Sequence, residues 1–261
     1  MLVIRQKICY NGTVSKPKGE IKQMNFEYIL ALAFLCAFYV GGVFLMKYIR
    51  HLKLGNVLFS CLVFIPYVCL CVIVYRDVGF DDWNFQNTLP VANVSPFMFS
   101  LMPISLCLPK KIKPHFYLLI SLLTVGMFFS SVLGCIYNAV INYKFHFHFM
   151  LDYMAHIFLS LFGVYLIRSN QVKLTLKNCL ISGSILLGSA TVMLILNLIF
   201  DTSFFGLSLR GKHNIYNNVL VDNSYISALL YYVGVVAVLA MGFAVCKFFD
   251  KEKWKIKETN K

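Results

Sequence analysis

The sequence predicts an all-α membrane protein: a polytopic bundle of seven transmembrane helices, with the N-terminus outside and the C-terminus in the cytoplasm. Three observations carry that expectation. Of 261 residues, 59% are hydrophobic and 13% charged, and the mean hydropathy is +0.72; about a quarter of the residues in a water-soluble domain are charged. The apolar residues gather into seven runs, each near the ~20 residues a helix needs to cross the bilayer core. The basic residues fall mainly on one side of those runs.

In chain order the runs cover 29–46, 54–75, 89–108, 116–141, 147–167, 178–200 and 225–246. Six contain no Lys, Arg, Asp or Glu, and the fifth contains only Asp152. In lipid a backbone N–H or C=O has no water to bond, so such runs close their own hydrogen bonds as helices. The second run is the most uniformly apolar. The third holds Pro90, Pro96 and Pro103 and is the least regular. With the first run entering from outside, the inner connections carry Lys47, Arg50 and Lys53, then Lys110, Lys111 and Lys113, then Arg168, Lys173 and Lys177, then the lysines from Lys247 onward. These make up 15 of the 24 basic residues. The outer connections hold only Arg76, Lys144, Arg210 and Lys212. The net charge of +13 therefore fits orientation against an anionic inner leaflet, not nucleic acid. There is no nucleic-acid module, P-loop, dinucleotide-binding glycine pattern or GxSxG. The seventh run has no mid-membrane lysine, since Lys247 lies at its inner end, which argues against a retinal protein.

Residues 24–249 read as the membrane domain and 250–261 as a basic cytoplasmic tail. Residues 1–23 break the charge rule, with five basic residues on the outer side and no apolar signal-peptide core. They read as an extension ahead of a start at Met24, because Lys18-Gly19-Glu20 can be encoded by AAAGGAGAA, a ribosome-binding sequence. The alternative is a genuine basic tail. The nine cysteines show no CxxC and no zinc spacing, and eight lie within helices as small packing residues.

The polar residues in the runs converge on the outer half. His148, Asp152 and His156 are spaced by four, which places them on one helical face, with His146 on the other side near the helix end. An ionisable group at membrane depth costs a few kcal/mol and normally faces a partner or a wet cavity. Candidate partners are Asn93 and Ser95 in the third run, Ser131, Asn138 and Asn142 in the fourth, Asn197 and Asp201 at the end of the sixth, and Ser227, Tyr231 and Tyr232 in the seventh. Asn93, Pro96, Ser100, Pro103 and Cys107 form a three-four seam of small and polar groups. The pattern predicts an outward-facing polar cavity. His156 is the candidate base, Asp152 its orienter, and His148, Asn93 and Ser95 the further catalytic candidates. Asn138, Asn197, Arg210 and Tyr231 are candidate substrate contacts. The 201–224 loop adds Arg210, Lys212 and His213 for an anionic group arriving from outside. The competing reading of each single Asn or Ser is a hydrogen bond that merely holds helices together. No metal or other cofactor is expected: His148 and His156 are separated by a rise of about 12 Å, too far for one ion, and an i,i+4 His/Asp pair with a third ligand elsewhere is the weaker alternative.

Three segments carry a family resemblance: LPVANVSPFMFSLMPISL in the third run, YMAHIFLSLFGVYLI in the fifth, and NIYNN before the seventh. In these the chain, from about Asn25 onward, resembles the multipass membrane proteins that include the bacterial YwaF proteins and animal transmembrane protein 164. The resemblance implies the same fold and topology in a cell membrane, here a bacterial cytoplasmic membrane. It also implies acyl transfer onto ether phospholipids through a cysteine and a histidine, with His156 as the base. Where the family tends to have a cysteine early in the third helix, this chain has Asn93-Val94-Ser95, and Cys107 lies near the opposite membrane face. Ser95 would substitute only if activated by a base.

Three functions follow as expectations. The first is a lipid-modifying, acyl-transfer-like enzyme acting at the outer face on membrane lipids or another small substrate. The second is a small-solute or proton-coupled binding protein or transporter, and the third a non-catalytic accessory membrane protein. A transport path would need polar lining through the inner half, where the sequence offers little beyond lysine collars.

Overall fold

A computed structural model describes residues 26–52, 54–79, 88–90, 93–140, 146–200, 204–207 and 224–251. The expected start at Met24, residues 1–23, Asn142, Asp201, Arg210, Lys212 and His213 lie outside the described residues. The chain is all-helical where it is described. The helices are α1 (Phe26–Ile49), α2 (Gly55–Val78), α3 (Val94–Cys107), α4 (Lys113–Val140), α5 (Phe147–Arg168), α6 (Leu176–Phe200) and α7 (Ser224–Lys251), with a short 3-10 turn, Phe204–Gly206, after α6. Six of them are long and apolar enough to cross a membrane, which makes this a multipass membrane protein by length and composition.

The exception is α3. Hydropathy alone predicts a span over 89–108, but only 14 residues are helical. At 1.5 Å per residue that is about 21 Å, short of a ~30 Å hydrocarbon core. The loss is at the N-terminal end. Thr88–Pro90 is a non-helical turn whose Thr88 carbonyl accepts a hydrogen bond from the Tyr67 hydroxyl of α2 at 2.9 Å. Asn93 then sits in extended backbone (φ −146°, ψ 162°) before the first helical residue. Pro96 falls in the first turn, where its missing N–H removes no helical bond. At the other end Lys113 Nζ donates to the Leu106 carbonyl at 2.7 Å, satisfying a carbonyl that the end of α3 leaves open.

Helix α5 is the axis of the bundle. It packs against α1, α2, α4 and α7, and more lightly against α3, and nearly every residue from Ala155 to Ile167 is buried. Lipid tails are as apolar as leucine, so helices in a bilayer associate through close fit and interhelical hydrogen bonds. Both are visible along α4 and α5. A Cβ added at Gly163 would overlap Thr124 Oγ1 and come within 3.1 Å of the Ile120 carbonyl oxygen. Around this crossing Ser160 Oγ donates to the Thr124 carbonyl (2.7 Å), and Ser121 Oγ donates to the carbonyls of Tyr117 (2.9 Å) and Gly163 (3.3 Å). Gly242 of α7 lies equally close to the backbone of Leu122. The Arg168 end of α5 is tied to α1, α7 and the α1–α2 connection: Arg168 Nη1 donates to the Val43 carbonyl at 2.6 Å, its guanidinium lies 5.3 Å from the Phe249 ring centroid, and Tyr165 donates to the Leu52 carbonyl at 3.1 Å. Helix α6 packs on α4, α7 and the 3-10 turn.

Candidate functional site

His156 lies in the middle of α5 and is buried at 5% exposure. The Asp152 carbonyl is 2.8 Å from its Nδ1. A carbonyl only accepts, so this bond puts the proton of the neutral ring on Nδ1 and leaves the lone pair on Nε2. The Asp152 carboxylate is close as well, with Oδ1 3.6 Å from the same Nδ1. That is ion-pair range but beyond a good hydrogen bond. The main chain of Asp152, one turn earlier, therefore sets the tautomer, and its side chain supplies charge beside the ring. The Asp152 side chain is 24% exposed, so the pair is accessible on one side, one turn from the buried imidazole.

The opposite wall comes from α3. The Phe99 ring meets His156 edge to face, with centroids 4.9 Å apart, and Phe99 in turn lies 5.7 Å from Tyr67 of α2. Ser95 is one turn before Phe99 on the same helix face, and its hydroxyl lies 3.9 Å from Met127 Sδ of α4. Met127 falls between the contacts that fix the α4–α5 register, Ser131 to Tyr153 and Thr124 to Ser160. Those contacts put it at the depth of His156. Ser95 and Phe99 of α3 and Asp152 and His156 of α5 thus lie within about one helical turn of each other in depth, around the meeting of α3, α4 and α5. Asn93, the residue before α3, is half-buried.

The other predicted residues separate into distinct settings. His148 is in the first turn of α5. Its ring stacks on His146 (5.3 Å, 8°) and meets Phe149 at 4.4 Å. The spacing argument places His146 on the far side, but His146 precedes the helix in extended backbone (φ −124°, ψ 144°), where helical periodicity does not apply. Asn138 is buried and donates to the Tyr153 hydroxyl at 2.8 Å. Asn197 accepts from the Phe204 N–H at 2.7 Å and donates to the carbonyls of Phe204 (2.9 Å) and Leu207. Tyr231 is buried beside Tyr232, with centroids 6.0 Å apart. Among the described residues no group of three His, Cys, Asp or Glu side chains has the geometry to hold a metal ion.

Tyr153 is the residue that sequence reasoning missed. Its hydroxyl meets Asn138, its carbonyl accepts from Ser131 at 3.1 Å, and its ring packs over Gly134. Ser131, Gly134 and Asn138 follow three-four spacing, so one face of α4 forms a notch for this ring. That notch was the available signal. Tyr153→Phe is expected to lower the thermal midpoint of the detergent-solubilised protein by an amount worth about 1 kcal/mol, through loss of one buried hydrogen bond. An unchanged midpoint would mean that the pair contributes nothing to stability.

No protein-family model, curated protein or solved structure matches the chain.

Proposed function

We propose that this is a seven-span membrane enzyme, N-terminus outside, that transfers an acyl group on a membrane lipid at a site opening to the outer face. The observation that carries this reading is the buried imidazole whose Nδ1 is fixed by the Asp152 carbonyl beside the Asp152 carboxylate. Such a ring can take a proton at Nε2 from an attacking hydroxyl and return it to the leaving alkoxide. In this reading Ser95 or Asn93 contacts the reacting carbonyl. The acyl-transfer chemistry implied by the likeness to the YwaF and transmembrane protein 164 family fits the same pair. Cys107 does not fit, because it is twelve residues along α3 from Ser95, a rise of about 18 Å. A hydroxyl of the acceptor therefore attacks directly.

The topology rests on the one-sided distribution of basic residues, with short α3 spanning alongside the non-helical turn before it. Proton-coupled transport is the weaker reading. The buried hydroxyls in the inner halves are all bonded to backbone carbonyls: Ser105 and Thr124 within their own helices, Ser121 within α4 and across to α5, and Ser160 across to α4.

Comparative lipidomics of host membranes expressing wild type or His156→Ala, matched for amount and detergent stability, tests the proposal. A lipid species that changes with wild type alone is expected, and it names the substrate. Identical lipid profiles from two well-folded proteins would overturn the enzymatic reading.

A further inference from the structure

The turn after α6 does not run along the membrane surface. Phe204–Gly206 folds back beside α6, held by the hydrogen bonds of Asn197 to Phe204 and Leu207. Phe205 and Leu207 are both fully buried. They form a small apolar cluster of their own with Ala190 of α6 and with Ala228 and Tyr231 of α7. Ala190 lies well inside its helix, ten residues before the end of α6, a rise of about 15 Å, while Ala228 and Tyr231 lie in the first two turns of α7. Val94 and Phe97 of α3 close the third side, and the Phe97 and Phe205 rings are 5.4 Å apart edge to face. Phe205 adopts φ 57°, ψ 19°, a left-handed conformation that costs a non-glycine residue about a kcal/mol or more. A bulky residue held in that conformation, with its ring driven between three helices, is a wedge.

The wedge sits where the bundle is otherwise open. Helix α3 packs on α2, and lightly on α4 and α5, but makes no substantial packing with α6 or α7. What joins α3 to the α6–α7 pair is the wedge. The same Val94, Phe97 and Val235 side chains that touch it also touch the main core, which contains Phe99, Met127 and Tyr153. Val94 and Phe97 flank Ser95 in sequence. Val94, Phe97 and Val235 therefore bridge the Phe205–Leu207 cluster to the main core that holds Phe99, the ring against His156.

We infer that this seam is where a lipid acyl chain reaches the site sideways from the bilayer, and that the Phe204–Leu207 turn is the plug it displaces. The inference rests on the lipid reading of the site. The occupant is an acyl chain because the seam is lined by Val, Phe, Ala and Tyr side chains and is filled at rest by two apolar side chains, Phe205 and Leu207. The Asn197 clamp sets the balance between plugged and open forms. The left-handed Phe205 stores strain that is released when the turn leaves.

The test uses the full chain in vesicles of phosphatidylethanolamine and phosphatidylglycerol that contain a phospholipid with a diazirine on one acyl chain. After irradiation, labelled residues are mapped by mass spectrometry. Labelling of Phe97 and Val235 in the seam is compared with labelling of the outward-facing Val192 and Ile195. Asn197→Ala is expected to raise seam labelling about fivefold through loss of a net kcal/mol of clamp, with the outward positions unchanged. Phe205→Ala, which removes the plugging ring and leaves the Asn197 clamp in place, is expected to raise labelling of Phe97 and Val235 in the same way, with Val192 and Ile195 unchanged. This variant keeps the test decisive if Asn197→Ala fails to fold. Seam labelling that is the same in wild type, Asn197→Ala and Phe205→Ala would overturn the plug. Seam labelling that responds as expected, without any lipid product from wild type, would uphold the plug and overturn the enzymatic reading.

Discussion

Gly242→Ala is expected to cost the bundle about 3 kcal/mol or more, seen as a lower thermal midpoint and loss of the monodisperse peak in detergent. The added methyl would overlap the Leu122 carbonyl oxygen, and it would lie 2.7 Å from the carbonyl carbon and 3.0 Å from Cα. These are backbone atoms in the middle of α4, so no rotamer change relieves the clash. Helix α7 must move away. The movement stretches the contact of Cys246 Sγ with the Ser121 carbonyl, now 3.2 Å, and loosens the packing of α7 on α5. Other glycines separate this effect from a general intolerance of alanine. At Gly42 the new methyl would meet the Leu161 methyls, which can rotate away, and at Gly41 nothing lies within 4 Å. Gly41→Ala is expected to leave the midpoint unchanged or raise it, because alanine is the better helix former. Equal midpoints for Gly41→Ala and Gly242→Ala would show that α4 and α7 do not approach as closely as described.

Helix positions were legible because each apolar run is flanked by charged or turn residues, and six of the seven agree with the observed helices to within a few residues. Helix α3 was not, for a local reason. Hydropathy starts the span at Leu89, but Thr88–Pro90 is a turn, with Thr88 tied to Tyr67, and Asn93 is extended, so α3 begins at Val94. The four-residue spacing of Asp152 and His156 translated directly into contact, because both lie inside one continuous helix. The same arithmetic failed at His146, one residue outside it. Contacts between helices were beyond reach of the sequence. Asn138 and Tyr153 each look like an ordinary member of an apolar run, and their meeting depends on an α4–α5 register set by Gly163, Ser160 and Thr124. The wedge was hidden for a related reason. Phe204 and Phe205 are adjacent aromatics just past the sixth apolar run, and only the three-helix surroundings show that Phe205 is driven inward.

The division of labour between the two halves of Asp152 leads to a sharper expectation for the chemistry. In a Ser-His-Asp arrangement the carboxylate both orients the imidazole and offsets its developing charge, and removing it costs about 10⁴ in turnover. Here the shorter contact to His156 Nδ1 is the Asp152 main-chain carbonyl at 2.8 Å, and the carboxylate stands at 3.6 Å with partial exposure to solvent. Asp152→Asn keeps the carbonyl and therefore the tautomer, losing only a screened charge. It is expected to lower kcat by about tenfold with KM unchanged, the equivalent of roughly 1.4 kcal/mol. His156→Gln removes the base itself and is expected to lower kcat by about 10²- to 10⁴-fold. The measurement is turnover of the lipid identified in host membranes, made in phospholipid–detergent micelles with both variants at equal folded concentration. If Asp152→Asn proves as damaging as His156→Gln, the carboxylate is the orienting group and the carbonyl contact is incidental to helix geometry. If neither substitution changes turnover, the product is made without this imidazole.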